Sequence, residues 1–435
     1  MYIPYEKIYT IISPFLCPKS KEKLSKCTNS AKINQNLSFI ENNKKKVLDK
    51  ISKKIAKKQK IEVAFLCNDK SKWKCENLYK AFMDDDLFHP YIIATINNSP
   101  KNCLSSMTKE NAIDTFNYFK SNNYEVQYGY DINLDKFIPI KKFNPDIIFY
   151  QQPWYNETSQ NAVIASKNAL TCYVPYFVET ALSEVEYYLR FHQYVMNFFV
   201  SNDDIKNYYS ENMQNKGKNV IASGHPSLDY YLNQNQINDK NYIIYAPHWS
   251  FDKDNQIRWG TFLWSNDIIC NFAKKYPNFN WIFKPHPNLK NHLIQTKTMT
   301  EKEVENYYKF WSEIGEVIED SNYFNVFLNS KTLITDSGSF LSEFFPTKKP
   351  LIHLKSNNNP ISYNNYVESI LKTQYSIRTK EELENILIEI ILNNKDFKLQ
   401  ERVELFDKHS IKNSASKNII NHLKKQLKLP QIDSL

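Results

Sequence analysis

Apolar and polar positions along the chain fall into short runs of two kinds, and their alternation sets the fold class. Ile61–Cys67 is a nearly unbroken apolar run rich in β-branched and aromatic residues, the pattern of a strand buried on both faces. Helical spacing follows at 73–83, a strand at 91–96, a helix at 109–120, and a strand at 146–150 that runs into Gln151-Gln152-Pro153-Trp154. Further strands are expected at 170–174, Asn197–Val200 and 219–222, with a helix at 203–213 between the last two. The polar, Asn- and Gln-rich stretch 232–240 reads as a linker. A second series then begins, with strands at 242–245, Trp281–Phe283, 316–318, 332–334 and 351–353. Helical patterns at 261–274, 301–311, 323–329, 340–345 and 381–392 alternate with them. Strands alternating with helices imply βαβ units and mostly parallel sheets. The expected architecture is α/β, two doubly wound Rossmann-like domains facing across a cleft. The boundaries drawn are a basic N-terminal helical arm at 1–60, a first domain at 61–235 and a second at 236–400. Residues 401–435 are read as C-terminal helices, with a crossing back to the first domain left open.

At 435 residues the chain exceeds the size at which one hydrophobic core stops growing, which supports two domains. Its 42% apolar and 24% charged residues supply sizeable cores and exclude disorder over most of the length. The net charge of +9 is uneven: residues 1–60 hold 15 lysines against 4 acidic residues, and the remainder is close to neutral. Residues 44–60 carry nine lysines around Val47, Leu48, Ile51 and Ile55, which share one helical stripe. That pattern fits a helix packing its stripe on the domain, or adsorption to an anionic membrane surface. Nucleic acid is not expected, because no aromatic stacking residues are interleaved with the lysines. Seven widely spaced cysteines without a C-x-x-C pair argue for reduced thiols and against a disulfide framework or structural zinc. The N-terminal residues lack a secretory pattern, and no run approaches 18 apolar residues, so any membrane contact is expected to be peripheral.

Two clusters carry the chemistry. Lys284-Pro285-His286-Pro287 and Thr335-Asp336-Ser337-Gly338-Ser339 each close a predicted strand, where open α/β sheets bind ligands. With only six glycines the chain cannot offer a glycine-rich phosphate loop, so charge and hydroxyls must hold any phosphate. Lys284 supplies a fixed cation, His286 an imidazole, and Ser337 and Ser339 neutral donors. Each cluster alone also fits a stiff surface loop, and Asp336 a helix cap. Pro247, His248 and Trp249 follow the first strand of the second domain and point to the cleft, or His248 is a loop histidine stacked on Trp249. Glu179 is the leading base on the acceptor side, or an ordinary helix N-terminal glutamate. His225, before Pro226, is placed at the domain junction, while His192 and His353 are read as structural. Asp84-Asp85-Asp86 sits at a helix end and reads as a solvated turn. No metal and no other cofactor is expected.

Tyr245-Ala246-Pro247, the Lys-Pro-His-Pro and Thr-Asp-Ser-Gly-Ser clusters, and Lys349-Pro350-Leu351-Ile352 occur in this order after Gly224-His225-Pro226 and Asp229. Over roughly residues 220–355 they resemble the C-terminal half of the CDP-glycerol glycerophosphotransferases, which polymerise or prime teichoic acids and capsules. The resemblance implies a GT-B fold with a CDP-activated donor in the second domain and the acceptor held by the first. It implies that His286 contacts the donor pyrophosphate and that Asp336, Ser337 and Ser339 line the same pocket. A similar His-Pro and paired-serine arrangement occurs in bacterial transferases of sialic acid or Kdo from CMP-sugars. Those glycerophosphotransferases carry a His-Gly-Thr-Pro segment in the first domain, whereas residues 173–180 here hold no histidine, which leaves the base open.

The resulting expectation is a cytoplasmic transferase, peripheral on the inner face of the membrane through Lys44 to Lys60. It would move glycerol phosphate from a CDP donor to a surface glycan or glycolipid acceptor. A GT-B enzyme using a CMP-sugar, and a silent nucleotide- or glycan-binding scaffold, are the alternatives.

Overall fold

Strands that are apolar on both faces assemble into two all-parallel sheets. The structure, a computed structural model, describes residues 18–96, 109–153, 159–182, 190–233, 240–252, 257–319, 323–357, 359, 362–409 and 414–431. Residues 1–17 of the arm, Trp154, Cys17, Cys103 and residues 234–239 of the expected linker lie outside the described residues.

The first sheet contains β1 (Ile61–Cys67), β2 (Phe88–Ala94), β3 (Val126–Tyr128), β4 (Ile147–Tyr150), β5 (Leu170–Tyr173), β6 (Asn197–Val200) and β7 (Val220–Ala222). Their spatial order is β7-β6-β5-β4-β1-β2-β3. The second contains β8 (Tyr242–Ala246), β9 (Trp281–Phe283), β10 (Gly315–Val317), β11 (Ser330–Thr335), β12 (Leu351–Leu354) and β13 (Tyr375–Ile377), in the order β10-β9-β8-β11-β12-β13. In each sheet the chain builds outward on one side of its first strand and then crosses to the other side. β1 and β8 therefore sit at the two topological switch points.

Each sheet carries an aromatic core. Phe65 stacks on Phe149 at 5.0 Å in the first, and Phe283 on Trp311 at 5.0 Å in the second. The Pro18–Ala56 helix lies on the first sheet and buries Ile40, Val47 and Ile51. Each such side chain contributes about 1.5–3 kcal/mol. The buried carboxylate of Asp146 fixes the register by accepting from Lys54 and Glu62 N and pairing with Lys50 at 3.1 Å. The Ala415–Gln426 helix joins the same core through Ile419, Ile420 and Leu423. Its N-terminus is held by Asp229, which accepts from Ser414 Oγ, Ala415 N and Ser416 N at 2.7–2.8 Å.

Boundaries differ from expectation where local chemistry intervenes. The helix expected from residue 73 starts at Glu76, because Asp69 caps a 3₁₀ turn at Lys70–Lys72 and Trp73 is extended. β2 begins at Phe88 despite Pro90, since β3 pairs only with Ile92 to Ala94 and leaves Pro90 at an edge. The halves are joined by an antiparallel ribbon, Ala181–Leu182 against Ser362–Tyr363. Lys74 Nζ also donates across to Tyr323 OH at 2.7 Å.

Candidate functional site

The loops leaving β8, β9 and β11 share the C-terminal edge of the second sheet because those strands are neighbours. Direct hydrogen bonds lock them together. His286 N donates to Pro247 O at 3.0 Å, and His248 N donates to Asp336 Oδ1 at 2.6 Å. The other oxygen of Asp336 accepts from Thr261 N at 2.6 Å and Thr261 Oγ1 at 2.9 Å. Thr335 Oγ1 donates to Ala246 O and accepts from Ser337 N. Thr335 and Asp336 thus act as internal struts of the edge, with their polar atoms turned to backbone.

What remains open to a ligand is a set of donors. His248 Nδ1 accepts from Ser250 N, and His286 Nδ1 accepts from Asn288 N, an i to i+2 pattern repeated at His225 and Ser227. The pattern places the proton on Nε2. In His225 that N–H donates to Pro175 O at 2.9 Å, a bond within the first domain. In His248 and His286 Nε2 makes no hydrogen bond to a described residue, and the two rings lie 4.7 Å apart. Ser337 and Ser339 hydroxyls are 3.3 Å from each other. Gly338 is required by a close approach: a Cβ there would lie 2.6 Å from the Trp259 indole. Trp259 in turn packs edge-on to His248 and parallel to Tyr363. Pro247 and Trp249 flank His248, with Trp249 set against His286 and His292.

Cations complete the edge. Lys284 is 5% exposed and sits 4.6 Å above the Tyr323 ring. Lys74, from the loop after β1, lies 4.3 Å from the same ring. Tyr323 OH in turn donates to Glu343 Oε2. Burial lowers the Lys74 pKa, opposed by Glu343. Enclosure first, then Lys284 and Lys72, draw the half-buried His286 down to about 3, and burial with His286 and His292 holds His248 well below its usual value. Both imidazoles are neutral N–H donors at pH 7. Burial pushes Asp336 up to about 6, against the pull of its Thr261 and His248 hydrogen bonds. The edge is therefore rich in donors and positive charge and suits an oxygen-rich anion.

Glu179 lies elsewhere, at the first half of the joining ribbon. Its carbonyl accepts from Asn364 Nδ2 at 2.9 Å, and its buried side chain lines a narrow cavity with Tyr173, His192 and Tyr209. Among the described residues no group of three or more His, Cys, Asp or Glu is placed to hold a metal ion. Lys72, Lys74, Thr261, Trp259 and Tyr323 escaped sequence reasoning. Only the lysines left a signal, as cations directly after β1, and a helical pattern masked it.

The sequence matches the family described as CDP-glycerol:poly(glycerophosphate) glycerophosphotransferase over residues 179–417, more than half of the chain. No match was found among curated proteins. Among solved structures, Staphylococcus aureus MnaA with UDP is similar at TM-score 0.53 and 16% identity, over 86% of this chain and 99% of its own. The UDP-GlcNAc 2-epimerase of Neisseria meningitidis bound to UDP-GlcNAc gives 0.51 and 15%, over 84% and 100%. A variant of the wall teichoic acid polymerase TagF gives 0.48 and 15%, over 89% and 98%. At these identities the likeness concerns the fold alone, and with the two sheets it defines a GT-B fold.

Proposed function

The chain belongs to the CDP-glycerol:poly(glycerophosphate) glycerophosphotransferase family and is a transferase, and from that premise we propose that it moves glycerol phosphate from CDP-glycerol to a hydroxyl of a surface-glycan acceptor of the capsule or teichoic-acid kind. The acceptor oxygen forms a bond to the phosphorus bearing glycerol, the bond from that phosphorus to the oxygen of the CMP phosphate breaks, and CMP departs with the electron pair. Negative charge builds on the leaving phosphate. The observation that carries the reading is the hydrogen-bonded union of the three loops, which brings the His248 and His286 rings within 4.7 Å of each other, with the charge of Lys284 acting on His286. Pro247, Trp249, Ser337, Gly338 and Ser339 shape that place. Asp336 and Thr335 hold its walls, and we propose that His225 borders it from the first domain. We propose that these cations and N–H groups meet the charge with no metal cofactor. We propose that Glu179, whose cavity is also lined by the Pro153 that follows Gln152, takes the acceptor proton, so Glu179→Gln should lower kcat and leave the donor KM unchanged.

The test is purified protein with CDP-glycerol and an oligosaccharide acceptor. Release of CMP with glycerol phosphate gained by the acceptor supports the reading, and CMP release only from a CMP-sugar overturns it.

No helix among the described residues is long and apolar enough to cross a membrane. Because the stripe of the Pro18–Ala56 helix is buried in the first core, docking to a lipid surface would use charge alone. Lys46, Lys53 and Lys57 line an open groove on its outer side with Lys50 and Lys54. Each lysine near an anionic surface adds about 1 kcal/mol. Binding to vesicles with anionic lipid that disappears at high salt supports this docking, whereas equal binding to neutral vesicles refutes it.

A further inference from the structure

The switch point of the first sheet carries a group of buried carboxamides that the site described so far does not employ. Asn68 follows β1, and Gln151 and Gln152 follow β4. The β1–β4 register sets Leu66 beside Tyr150, and two residues further on it brings Asn68 level with Gln152. All three side chains are 2% exposed. Asn68 Nδ2, Gln151 Nε2 and both amide atoms of Gln152 make no hydrogen bond to a described residue. Gln160, buried as fully, by contrast bonds Thr95, Gly129 and Ile138. Four orphaned amide atoms at one sheet edge therefore need a cause, because burial of an unpaired polar group is unfavourable.

Their position supplies one. In open α/β sheets ligands bind beyond the strand ends at the switch point. Gln151 Oε1 accepts from Lys74 N at 3.1 Å, and the Lys74 side chain reaches Tyr323, beneath Lys284. The carboxamides are thus linked to the phosphate-suited loops through Lys74 and Tyr323. Three NH₂ groups and one carbonyl offer several donors and one acceptor with no charge, which matches hydroxyl oxygens of an uncharged unit.

We propose that Asn68, Gln151 and Gln152 form the subsite for the terminal hydroxyl-bearing unit of the acceptor, a neutral polyol or sugar. This rests on the transfer reading above. Hydroxyl oxygens accept from the three NH₂ groups, and one hydroxyl donates to Gln152 Oε1, which holds a neighbouring hydroxyl toward the donor phosphorus.

Gln152→Met keeps the volume and removes both hydrogen-bonding atoms. The acceptor KM should rise about tenfold for a lost hydrogen bond, with the donor KM unchanged. The variant should melt no lower than the parent, since an unpaired buried amide is removed. Saturation-transfer NMR with free glycerol gives a readout independent of turnover: signal with the parent, and its loss with Gln152→Met. An unchanged acceptor KM, a lower Tm, or glycerol signal retained in the variant overturns the subsite. Absence of any turnover of CDP-glycerol by the parent would refute the transfer reading, and the glycerol experiment would still decide the subsite.

Discussion

Asp336→Asn separates two opposed contributions at the heart of the loop junction. The carboxylate accepts from His248 N at 2.6 Å through one oxygen and from Thr261 N and Oγ1 at 2.6 and 2.9 Å through the other. An asparagine has one oxygen, so whichever way it turns, its NH₂ faces a backbone N–H and two buried donors go unpaired. At about 1–3 kcal/mol each, this destabilises by about 2–6 kcal/mol. Against this, the folded carboxyl titrates at about 6 because burial disfavours its charge. An unfolded aspartate titrates near 3.9, so the difference of about two units corresponds to about 3 kcal/mol. The sign follows from linkage: between pH 4 and 6 the folded carboxyl retains a proton that the unfolded one has released, so the stability it contributes is complete below pH 4 and lost as pH rises through 6. The asparagine has no such dependence. Urea unfolding of both proteins from pH 4 to 7, followed by tryptophan fluorescence, should show the deficit of the variant shrinking by about 3 kcal/mol toward neutral pH. Other titrating groups cancel in this double difference. A deficit constant with pH, or one that grows toward neutrality, would show that the hydrogen bonds outweigh burial and that the carboxyl is not raised.

Three further outcomes follow from the same geometry. His286→Ala should lower kcat/KM for CMP release by about a hundredfold or more, the effect of deleting one preorganised donor, and should change Tm little because the ring is half-buried. Since enclosure and lysines depress the His286 pKa in the free protein, a bound diphosphate should raise it. NMR titration of the His286 imidazole should therefore show a higher pKa with CDP bound than without, and a lower one would contradict the assignment. Gly338→Ala forces Trp259 from its seat, since the new Cβ would lie 2.6 Å from the indole; overpacking of this kind destabilises by about 1–3 kcal/mol, and the near-UV dichroism of tryptophan should change with Tm.

The fold was legible where strands were long enough to read. Ile61–Cys67, Asn197–Val200 and Trp281–Phe283 have the bounds that their apolar runs predict. β3 and β13 were missed because each has three residues and carries exposed positions, so neither shows a buried run. The Leu289–Gln295 and Asn365–Lys372 helices were missed as well. The lysine-rich segment proved to be the end of a 39-residue helix, a length hidden by polar residues between 20 and 40. The positions of His286 and of the Asp336–Ser339 loop were readable because strand ends were readable. The part played by Asp336 was not, since its partners lie 75 and 88 residues away. Lys74 was hidden twice, by a helical pattern and by a composition in which a further lysine carries little information.

The scarcity of glycine and the hydrogen bonding of the junction have one explanation. A glycine-rich loop holds phosphate with backbone N–H groups, which a ligand shares equally and no single side-chain change removes. Here the N–H groups of His248, Thr261 and Ser337 are taken by Asp336 and Thr335, and are withheld from any ligand. That internal bonding makes three separate loops one rigid body without needing the conformational freedom of glycine. It leaves imidazole N–H, hydroxyl and ammonium groups to meet the anion, each on its own side chain. Such a site is open to tuning one residue at a time. It is also more vulnerable to single substitutions than a backbone cradle, since each lost donor has no neighbour able to take its place.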